Sequence, residues 1–394
     1  MKEICLNNFD IAIIGCGLNG LITALHLFRL KKNIAVIEKN NIDNKSIHYL
    51  DNRYIALNIK SFKLLQTLGI LKKFSSKKYS SYGKMKIFFN EDKSQVSFNS
   101  RSISQERLGY IFEYKSLYRE LILYFLEKKI SFYQNFEISN VIYFKHSVCI
   151  LNGNKQAIKS KLIIATDGKN SLIKKFFKFN NIINNYKQIA IIANLETELP
   201  HNDTAYQWFL NYGTLAFLPL YNKNQVSMVW SVNIHKKKEF SNINIKDLKL
   251  NISNISSYKL GNILKISKIS FFNIKKIIPI NYSLPRIALI GDAAHSIHPL
   301  AGQGINLSIS DIIYLVDLIK VENNTSLDNF DFLKFFSKMQ KLKNMTMINF
   351  IDYLQFMFVS NNKLIKLGRS VGLNIFDRID IIKKKTMLHA LGLL

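Results

Sequence analysis

The chain has 394 residues, of which 48% are hydrophobic and 12% aromatic, and this composition excludes a disordered or fibrous protein. A formal net charge of +28 favours polyanionic partners, yet the lysines are scattered in pairs and triplets without the interleaved aromatic side chains of a nucleic-acid platform, so no nucleic-acid partner is expected. The three cysteines have neither C-x-x-C nor metal-ligand spacing, which predicts a reducing compartment, the cytoplasm, and no metal site.

Residues 11–30 form the one apolar stretch that resembles a membrane span in length. The stretch contains three glycines together with Asn19, His26 and Arg29, so it predicts a folded unit rather than a span or a signal peptide. Any contact with a membrane is therefore expected to be peripheral.

Residues 10–39 predict a complete β-α-β unit that binds a dinucleotide. A buried strand is followed by the spacing G-x-G-x-x-G, formed by Gly15, Gly17 and Gly20. These glycines allow a tight turn, the approach of a pyrophosphate, and close packing of a helix whose free N–H groups face the phosphates. The second strand ends at Glu38, about 20 residues further on, where a carboxylate can bind a ribose. An accidental glycine turn is the alternative, but the complete unit favours the nucleotide site.

Another buried strand is predicted over residues 161–168 and ends in Asp167 and Gly168. Ligands bind at the carboxyl ends of strands in an open parallel sheet, so this Asp-Gly pair is placed either for a ligand or for an ordinary turn.

The middle of the chain predicts two strands over 84–98, a helix over 113–128 and an antiparallel sheet over 186–232. The aromatic residues of that sheet are interpreted as core, or as a wall beside a planar substrate: Trp208, Phe209, Phe217 and Trp230. Residues 236–282 predict only a few more strands.

A third informative stretch covers residues 286–311. A strand ends at Gly291 and Asp292, and a glycine-rich loop then leads into a helix from about Ile305. His295 and His298 are interpreted as loop residues, because no cysteine or carboxylate cluster supports a metal. Helices over 330–358 and about 375–394 complete the chain.

Three ordered motifs carry a resemblance to a known family. They are the glycine turn with Glu38, the run Asp167-Gly168-x-x-Ser171, and Gly291-Asp292-Ala293-Ala294-His295 followed by Pro299 and the letters GQGIN. Together they resemble the flavoprotein aromatic hydroxylases of the p-hydroxybenzoate hydroxylase fold over nearly the whole chain. The letters DxRxxAL at 51–57 and HPLAGQGxNL narrow this to the ubiquinone-biosynthesis hydroxylases, and the run AYQWFLNYGTLAFLPL is most similar to the branch that acts on 2-polyprenyl-6-methoxyphenol.

The resemblance implies an FAD site built from all three motifs. The ADP half would be held by Gly15, Gly17, Gly20 and Glu38, and the ribityl chain by Asp292. Asp167 would contact FAD and the nicotinamide donor, and Arg53 and Arg119 match family positions near the flavin. The loop that faces the isoalloxazine would include Pro299, Gly302, Gln303, Gly304 and Asn306. Two departures are a lysine, Lys174, where the family has arginine, and Tyr118 or Arg119 at a helix position often occupied by Gln or Arg.

The activity that the resemblance implies is that of an FAD-dependent monooxygenase. NADPH or NADH would reduce the flavin, and dioxygen would supply an oxygen atom to the ring of a prenylated phenol. The protein would orient the ring, favour the phenolate and exclude water, so no catalytic side chain is named. Alternatives are a sister ring hydroxylase, a flavin reductase or dehydrogenase of the same fold, and a basic protein that binds a membrane surface or nucleic acid. Peripheral contact with the inner membrane, other ubiquinone-pathway proteins as partners, and self-association stay open.

The predicted fold is α/β, with a Rossmann-like FAD-binding domain, an inserted and mostly antiparallel substrate domain, and C-terminal helices. The FAD-binding domain is expected to comprise residues 1–80, 101–183 and 284–345. The substrate domain is expected to comprise 81–100 and 184–283, and the C-terminal helices 346–394.

Overall fold

The computed structural model describes residues 6–42, 53–74, 78–89, 95–154, 156–297, 302–322, 331–359 and 379–393. In chain order the strands are β1 (Leu6–Ile14), β2 (Ile34–Ile37), β3 (Tyr54–Leu57), β4 (Tyr79–Tyr82), β5 (Lys84–Phe89), β6 (Gln95–Asn99), β7 (Gly109–Glu113), β8 (Ser131–Tyr133), β9 (Ile138–Tyr143), β10 (Val148–Asn152), β11 (Ala157–Ala165), β12 (Asn181–Thr197), β13 (Thr204–Leu210), β14 (Gly213–Pro219), β15 (Gln225–Asn233), β16 (Ile263–Ile266), β17 (Ser270–Pro279), β18 (Ser283–Leu284) and β19 (Ile287–Leu289). The helices are α1 (Leu18–Phe28), α2 (Ile59–Thr67), α3 (Tyr114–Glu127), α4 (Leu172–Phe176), α5 (Lys237–Asn242), α6 (Ile245–Ile255), α7 (Gln303–Val321), α8 (Asp331–Val359) and α9 (Asp380–Ala390).

The first sheet carries the predicted nucleotide unit. Its order is β18-β19-β11-β1-β2-β8, and β19, β11, β1, β2 and β8 are parallel. Residues Ile11 to Ile14 of β1 are buried throughout, because helices cover the sheet and an apolar side chain at each position removes surface from water. The β9–β10 hairpin continues the sheet through an antiparallel pairing with β11.

The second sheet contains the predicted antiparallel strands. Its order is β16-β12-β15-β14-β13-β5-β6, with β17 paired to β12. All these pairings are antiparallel except that of β5 with β13, which is parallel. A small third sheet, β3-β7-β4, lies beside it, since β4 and β14 are in contact. The predicted fold class is confirmed.

Residues 236–282 contain two helices, α5 and α6, where only strands were expected. Asn244 caps α6 by accepting a hydrogen bond from the Lys246 N–H, and Leu248 and Ile252 are buried against the second sheet. The apolar positions are four residues apart, but the surrounding asparagines and lysines obscured this helical period. Strand β3, which lies within the DxRxxAL letters, was not predicted either.

A partly buried ion pair joins α8 to the second sheet. Asp352 of α8 accepts hydrogen bonds from the Lys276 ammonium of β17 and from the Tyr186 hydroxyl of β12, the latter at 2.6 Å. The long C-terminal helix is thereby held against the β12–β17 pair. Within the described ranges, no helix is both long enough and apolar enough to cross a membrane.

Candidate active site

The turn between β1 and α1 places two glycines in contact with backbone. Gly15 has φ +98°, and a Cβ at this position would lie 2.9 Å from the Thr166 carbonyl oxygen. At Gly20 a Cβ would lie 2.0 Å from the Gly15 carbonyl oxygen. The Thr166 hydroxyl donates to the carbonyls of Ile14 and Gly15, at 2.8 and 3.0 Å, so strand β11 holds the turn in place. Sequence reasoning did not identify Thr166, which precedes the Asp-Gly pair.

Gly17 has different surroundings. No heavy atom lies within 4 Å of a Cβ built there, and Gly17 is the N-cap of α1 without a capping side chain. The first turn of α1 carries no acidic residue either. Since a helix N-terminus bears unpaired N–H groups and partial positive charge, this opening suits a pyrophosphate.

Glu38 follows β2 and lies beside the glycine turn. One carboxylate oxygen accepts the Cys16 N–H at 2.9 Å, and the other accepts the Asn40 N–H at 3.1 Å. Two backbone donors therefore fix the orientation of the carboxylate, which leaves further lone pairs for a ribose diol.

Tyr118, rather than Arg119, reaches the glycine turn from α3. Tyr118 is buried and hydrogen-bonds with the Cys16 thiol. Burial raises the pKa of both groups, so both are neutral at physiological pH. Arg119 is exposed on the neighbouring part of the helix surface, and its predicted cofactor contact stays a prediction.

Arg53 precedes β3 and stacks on an aromatic ring. Its guanidinium carbon lies 4.3 Å from the centroid of Tyr114, and its buried Nε has no hydrogen-bond partner among the described residues. A buried donor of this kind is suited to an acceptor on a bound ligand.

Asp167 lies at the carboxyl end of β11. One carboxylate oxygen accepts the N–H groups of Leu172 and Ile173, at 2.7 and 3.4 Å, and so fixes the start of α4. Its other oxygen is buried, with no partner in the described part of the chain, and burial raises the pKa of the carboxyl. Lys174 is buried close enough to Asp167 and Asp292 for both carboxylates to favour its charged form, although burial lowers its pKa. This lysine therefore joins two of the predicted motifs electrostatically.

Asp292 stands in the turn after β19 and is exposed. The preceding Gly291 has φ +66°, and a Cβ there would lie 2.1 Å from the side-chain nitrogen of Asn19 on α1. The third motif thus packs directly on the first, and the Asp292 carboxylate stays accessible to a ribityl chain.

The N-terminus of α7 lies against β3. Gly302, with φ +63°, would place a Cβ 2.9 Å from the Ala56 Cβ. The Asn306 side chain accepts from the Asn58 N–H and the Ser61 hydroxyl, at 2.9 and 2.8 Å, and donates to the carbonyls of Ala56 and Gly302 at 3.0 and 3.1 Å. Asn306 therefore fixes the start of α7 against β3 and α2 through contacts within the protein. Gln303 and Gly304 are half-buried in the first turn of α7, and Pro299 and His298 lie outside the described residues.

His295 is fully buried and lies 2.6 Å, through Nε2, from the carboxylate of Asp311 on α7. Asp311 also accepts from the Asn344 side chain of α8 at 3.0 Å. Burial lowers the pKa of His295, but the carboxylates of Asp311 and Asp292 outweigh burial and raise that pKa above its usual range. His295 is thus the centre of a buried ion pair beneath the Asp292 turn.

The predicted motifs meet at one edge of the first sheet. The glycine turn follows β1, Glu38 follows β2, Asp167 follows β11 and the Asp292 turn follows β19, and these four strands are adjacent and parallel. The open position at Gly17, the helix N-terminus and the unpartnered buried oxygen of Asp167 fit an extended dinucleotide such as FAD.

The aromatic residues of the second sheet divide between its two faces. Trp208, Phe217 and Trp230 belong to the core covered by α6, as predicted. Phe209 points the other way and packs with Phe89, Val96 and Ile351. Ile297, within the third motif, and Met347 of α8 contact the same group. We call this group the inner apolar cluster: Phe89, Val96, Phe209, Ile297, Met347 and Ile351.

Comparison with known proteins agrees with this geometry. Residues 8–326 match the family described as FAD binding domain. The chain is 26% identical to a 3-demethoxyubiquinol 3-hydroxylase of Escherichia coli, over 98% of both chains. It is 25% identical to the ubiquinone biosynthesis monooxygenase COQ6 of Dictyostelium discoideum, over 96% of this chain and 90% of that protein.

Solved structures show the same fold. PqsL of Pseudomonas aeruginosa, described as a probable FAD-dependent monooxygenase, superposes with a TM-score of 0.77 at 17% identity, covering 94% of this chain and 100% of PqsL. HpxO of Klebsiella pneumoniae, solved with FAD and uric acid, gives a TM-score of 0.71 at 15% identity, covering 96% of this chain and 97% of HpxO. The family match covers most of the chain, and the motif residues converge at the strand ends where such a cofactor binds. The chain therefore belongs to the FAD binding domain family, and its enzyme class is that of the FAD-dependent aromatic monooxygenases.

Proposed function

We propose that the enzyme hydroxylates the ring of a polyprenyl phenol in ubiquinone biosynthesis, converting 2-polyprenyl-6-methoxyphenol to the 1,4-benzoquinol with NADPH or NADH and dioxygen. The full-length similarity to two ubiquinone-pathway hydroxylases is the observation that carries this proposal. A sister reaction at another ring position is the second candidate, favoured by the name of the Escherichia coli relative.

The proposal assigns the cofactor to the residues at the strand ends. Gly17 and the N-terminus of α1 would receive the pyrophosphate, Glu38 the adenosine ribose and Asp292 the ribityl chain. Bound FAD would supply the redox chemistry that passes electrons from the nicotinamide to dioxygen. Asp167, with its unpartnered oxygen, and Lys174 would contribute a polar surface for the donor.

The remaining work of the protein would be to orient the phenol and to exclude water. The inner apolar cluster brings the second sheet, α8 and Ile297 together. Apolar side chains there would receive the ring and the start of its tail, because their burial stabilises the complex by about 25 cal/mol per Å² of apolar surface. No side chain is assigned as a base. A cytoplasmic reaction at the inner membrane is part of the proposal.

The test is to delete the gene in a host that makes ubiquinone and to identify the prenylated phenol that accumulates. We expect 2-polyprenyl-6-methoxyphenol to accumulate, and the wild-type gene to restore quinone while a Gly17→Val gene does not. A different ring intermediate would assign the enzyme to the sister reaction. Unchanged quinone would exclude the pathway altogether. With purified protein, phenol-stimulated uptake of dioxygen separates a hydroxylase from a simple flavin reductase.

A further inference from the structure

The outer face of α8 presents a row of exposed apolar side chains. They recur mainly at intervals of three or four residues along a helix of 29 residues: Phe335, Met339, Leu342, Phe350, Tyr353 and Phe356. The opposite face, with Phe336, Ile348 and Ile351, is buried in the protein. Leu342 is 65% exposed and Phe356 63%. Large apolar side chains that stay in water along one helix face indicate an interaction surface. We call this row the apolar stripe.

Three lysines follow one flank of the apolar stripe. Lys334, Lys338 and Lys341 line a groove of about 460 Å³ between α8 and the β18–β19 segment. Apolar side chains also line this groove: Leu284, Pro285 and Leu333. Lys334 forms an ion pair with Asp331 at 3.0 Å. Both side chains are more than 70% exposed, so the pair is weak and Lys334 can bind another anion in place of Asp331. A groove lined by both lysines and apolar side chains thus borders the apolar stripe.

The charge of the molecule decides between the two kinds of surface that could cover the stripe. A second copy of the chain would bring a net charge of +28 and its own row of lysines against this face, which opposes pairing. An anionic phospholipid surface has the complementary charge and accepts apolar side chains below its headgroups. We propose that α8 rests on an anionic membrane, with the apolar stripe in the interface and headgroup phosphates in the lysine groove.

The orientation of α8 on the membrane also defines a route for the substrate, an inference that rests on the proposed function. Met347 and Ile351, on the inner face of the same helix, belong to the inner apolar cluster beside Phe209 and Ile297. One helix therefore separates the membrane surface from the region assigned to the phenol ring. A prenyl tail would have a short path from the bilayer to that region.

The test is flotation of the purified FAD-loaded protein with vesicles of phosphatidylcholine alone or mixed with phosphatidylglycerol. We expect binding only to the anionic vesicles, and weaker binding at high salt. The triple variant Lys334→Glu, Lys338→Glu and Lys341→Glu should lose at least about a hundredfold in partitioning, since each near-surface positive charge contributes about a factor of five. The matched control Lys223→Glu, Lys246→Glu and Lys268→Glu changes the same charge at exposed lysines outside α8 and should retain most of the binding.

A second pair of variants tests the apolar stripe. Leu342→Ser and Phe356→Ser alter exposed positions, so they should fold normally yet lower vesicle binding. Equal losses in the lysine variant and its control would overturn the proposal, as would wild-type protein that does not float. A dimer by light scattering that Leu342→Ser dissociates, without loss of vesicle binding, would assign the stripe to a second copy instead. Vesicle binding is measured without turnover, so a wrong substrate assignment would leave its result intact.

Discussion

At the scale of single residues, two glycines three positions apart have opposite constraints. A side chain at Gly20 would meet the Gly15 carbonyl oxygen at 2.0 Å, whereas a side chain at Gly17 would meet no heavy atom within 4 Å. Gly20 is thus required for the fold, because α1 must approach β1 closely. Gly17 is not required by any contact within the described protein, and we infer that a bound pyrophosphate accounts for a glycine there.

We predict that Gly17→Val abolishes FAD binding and leaves a folded apoprotein, destabilised by about 1 kcal/mol through loss of a good N-cap residue. Gly20→Val should fail to fold. Titration of apoprotein with FAD and a thermal melt by circular dichroism measure the two effects. A Gly17→Val protein that purifies with bound flavin would show that no phosphate lies against this glycine.

At the scale of elements, one buried network of three polar side chains connects three segments of the chain. His295 from the Asp292 turn, Asp311 from α7 and Asn344 from α8 are joined by hydrogen bonds without exposure to solvent. The Tyr282 hydroxyl lies nearby, and its pKa is raised chiefly by burial, so it stays neutral. Lys343 of α8 lies near the outer side of Asp311. These contacts hold the turn that carries Asp292.

We predict that this ion pair makes stability depend on pH. The pKa of His295 is raised in the folded protein, so its contribution is complete below about pH 6.5 and is lost as the pH rises through the folded pKa. Asp311→Asn removes the counter-charge, costs about 3 kcal/mol or more below that pH, and should reverse the trend, because an unpaired buried histidine must lose its proton. Melting temperatures of wild type and variant across this pH range provide the measurement.

The matched control is Asp247→Asn, at an exposed position of α6. Its free energy of unfolding should differ from that of wild type by less than about 0.5 kcal/mol at each pH. Parallel pH profiles for wild type and Asp311→Asn would mean that the pair is not ionised in the folded protein.

At the scale of the whole molecule, the candidate FAD site is assembled from segments distant in sequence. The β1–α1 turn, the Asp167 turn and the Asp292 turn are each separated by more than a hundred residues, and the first sheet brings them to one edge. A ligand that touches all three must oppose the separation of these segments on unfolding.

We therefore predict that removal of FAD lowers the melting temperature. A ligand in hundredfold excess over its Kd stabilises the native state by about 2.7 kcal/mol, which corresponds to roughly 3 °C for a chain of 394 residues. Calorimetry of apoprotein with and without added FAD measures this shift. Gly17→Val should show no shift, and an equal shift in that variant would place the bound flavin elsewhere.

The sequence by itself determined the fold class, most of the strands and helices, and the order of the three motifs. Glycine spacing, buried apolar runs and the acids at strand ends depend on local backbone geometry and on burial. Residues close together in the sequence determine both properties. The two helices in 236–282 were missed, because their apolar positions are few and their stability depends on packing against the core of the second sheet, for example of Phe240 on Trp230.

Only the tertiary structure decided which side chains meet. Tyr118 instead of Arg119 reaches the glycine turn, because a step of one residue on a helix rotates a side chain by about 100° and only the packing of α3 decides which residue faces inward. Asn306 forms hydrogen bonds with Asn58, Ser61 and Ala56, which lie more than two hundred residues away in the sequence. His295 pairs with Asp311, which belongs to another element. Contacts between distant segments depend on how the sheets and helices pack, so no local pattern in the sequence predicts them.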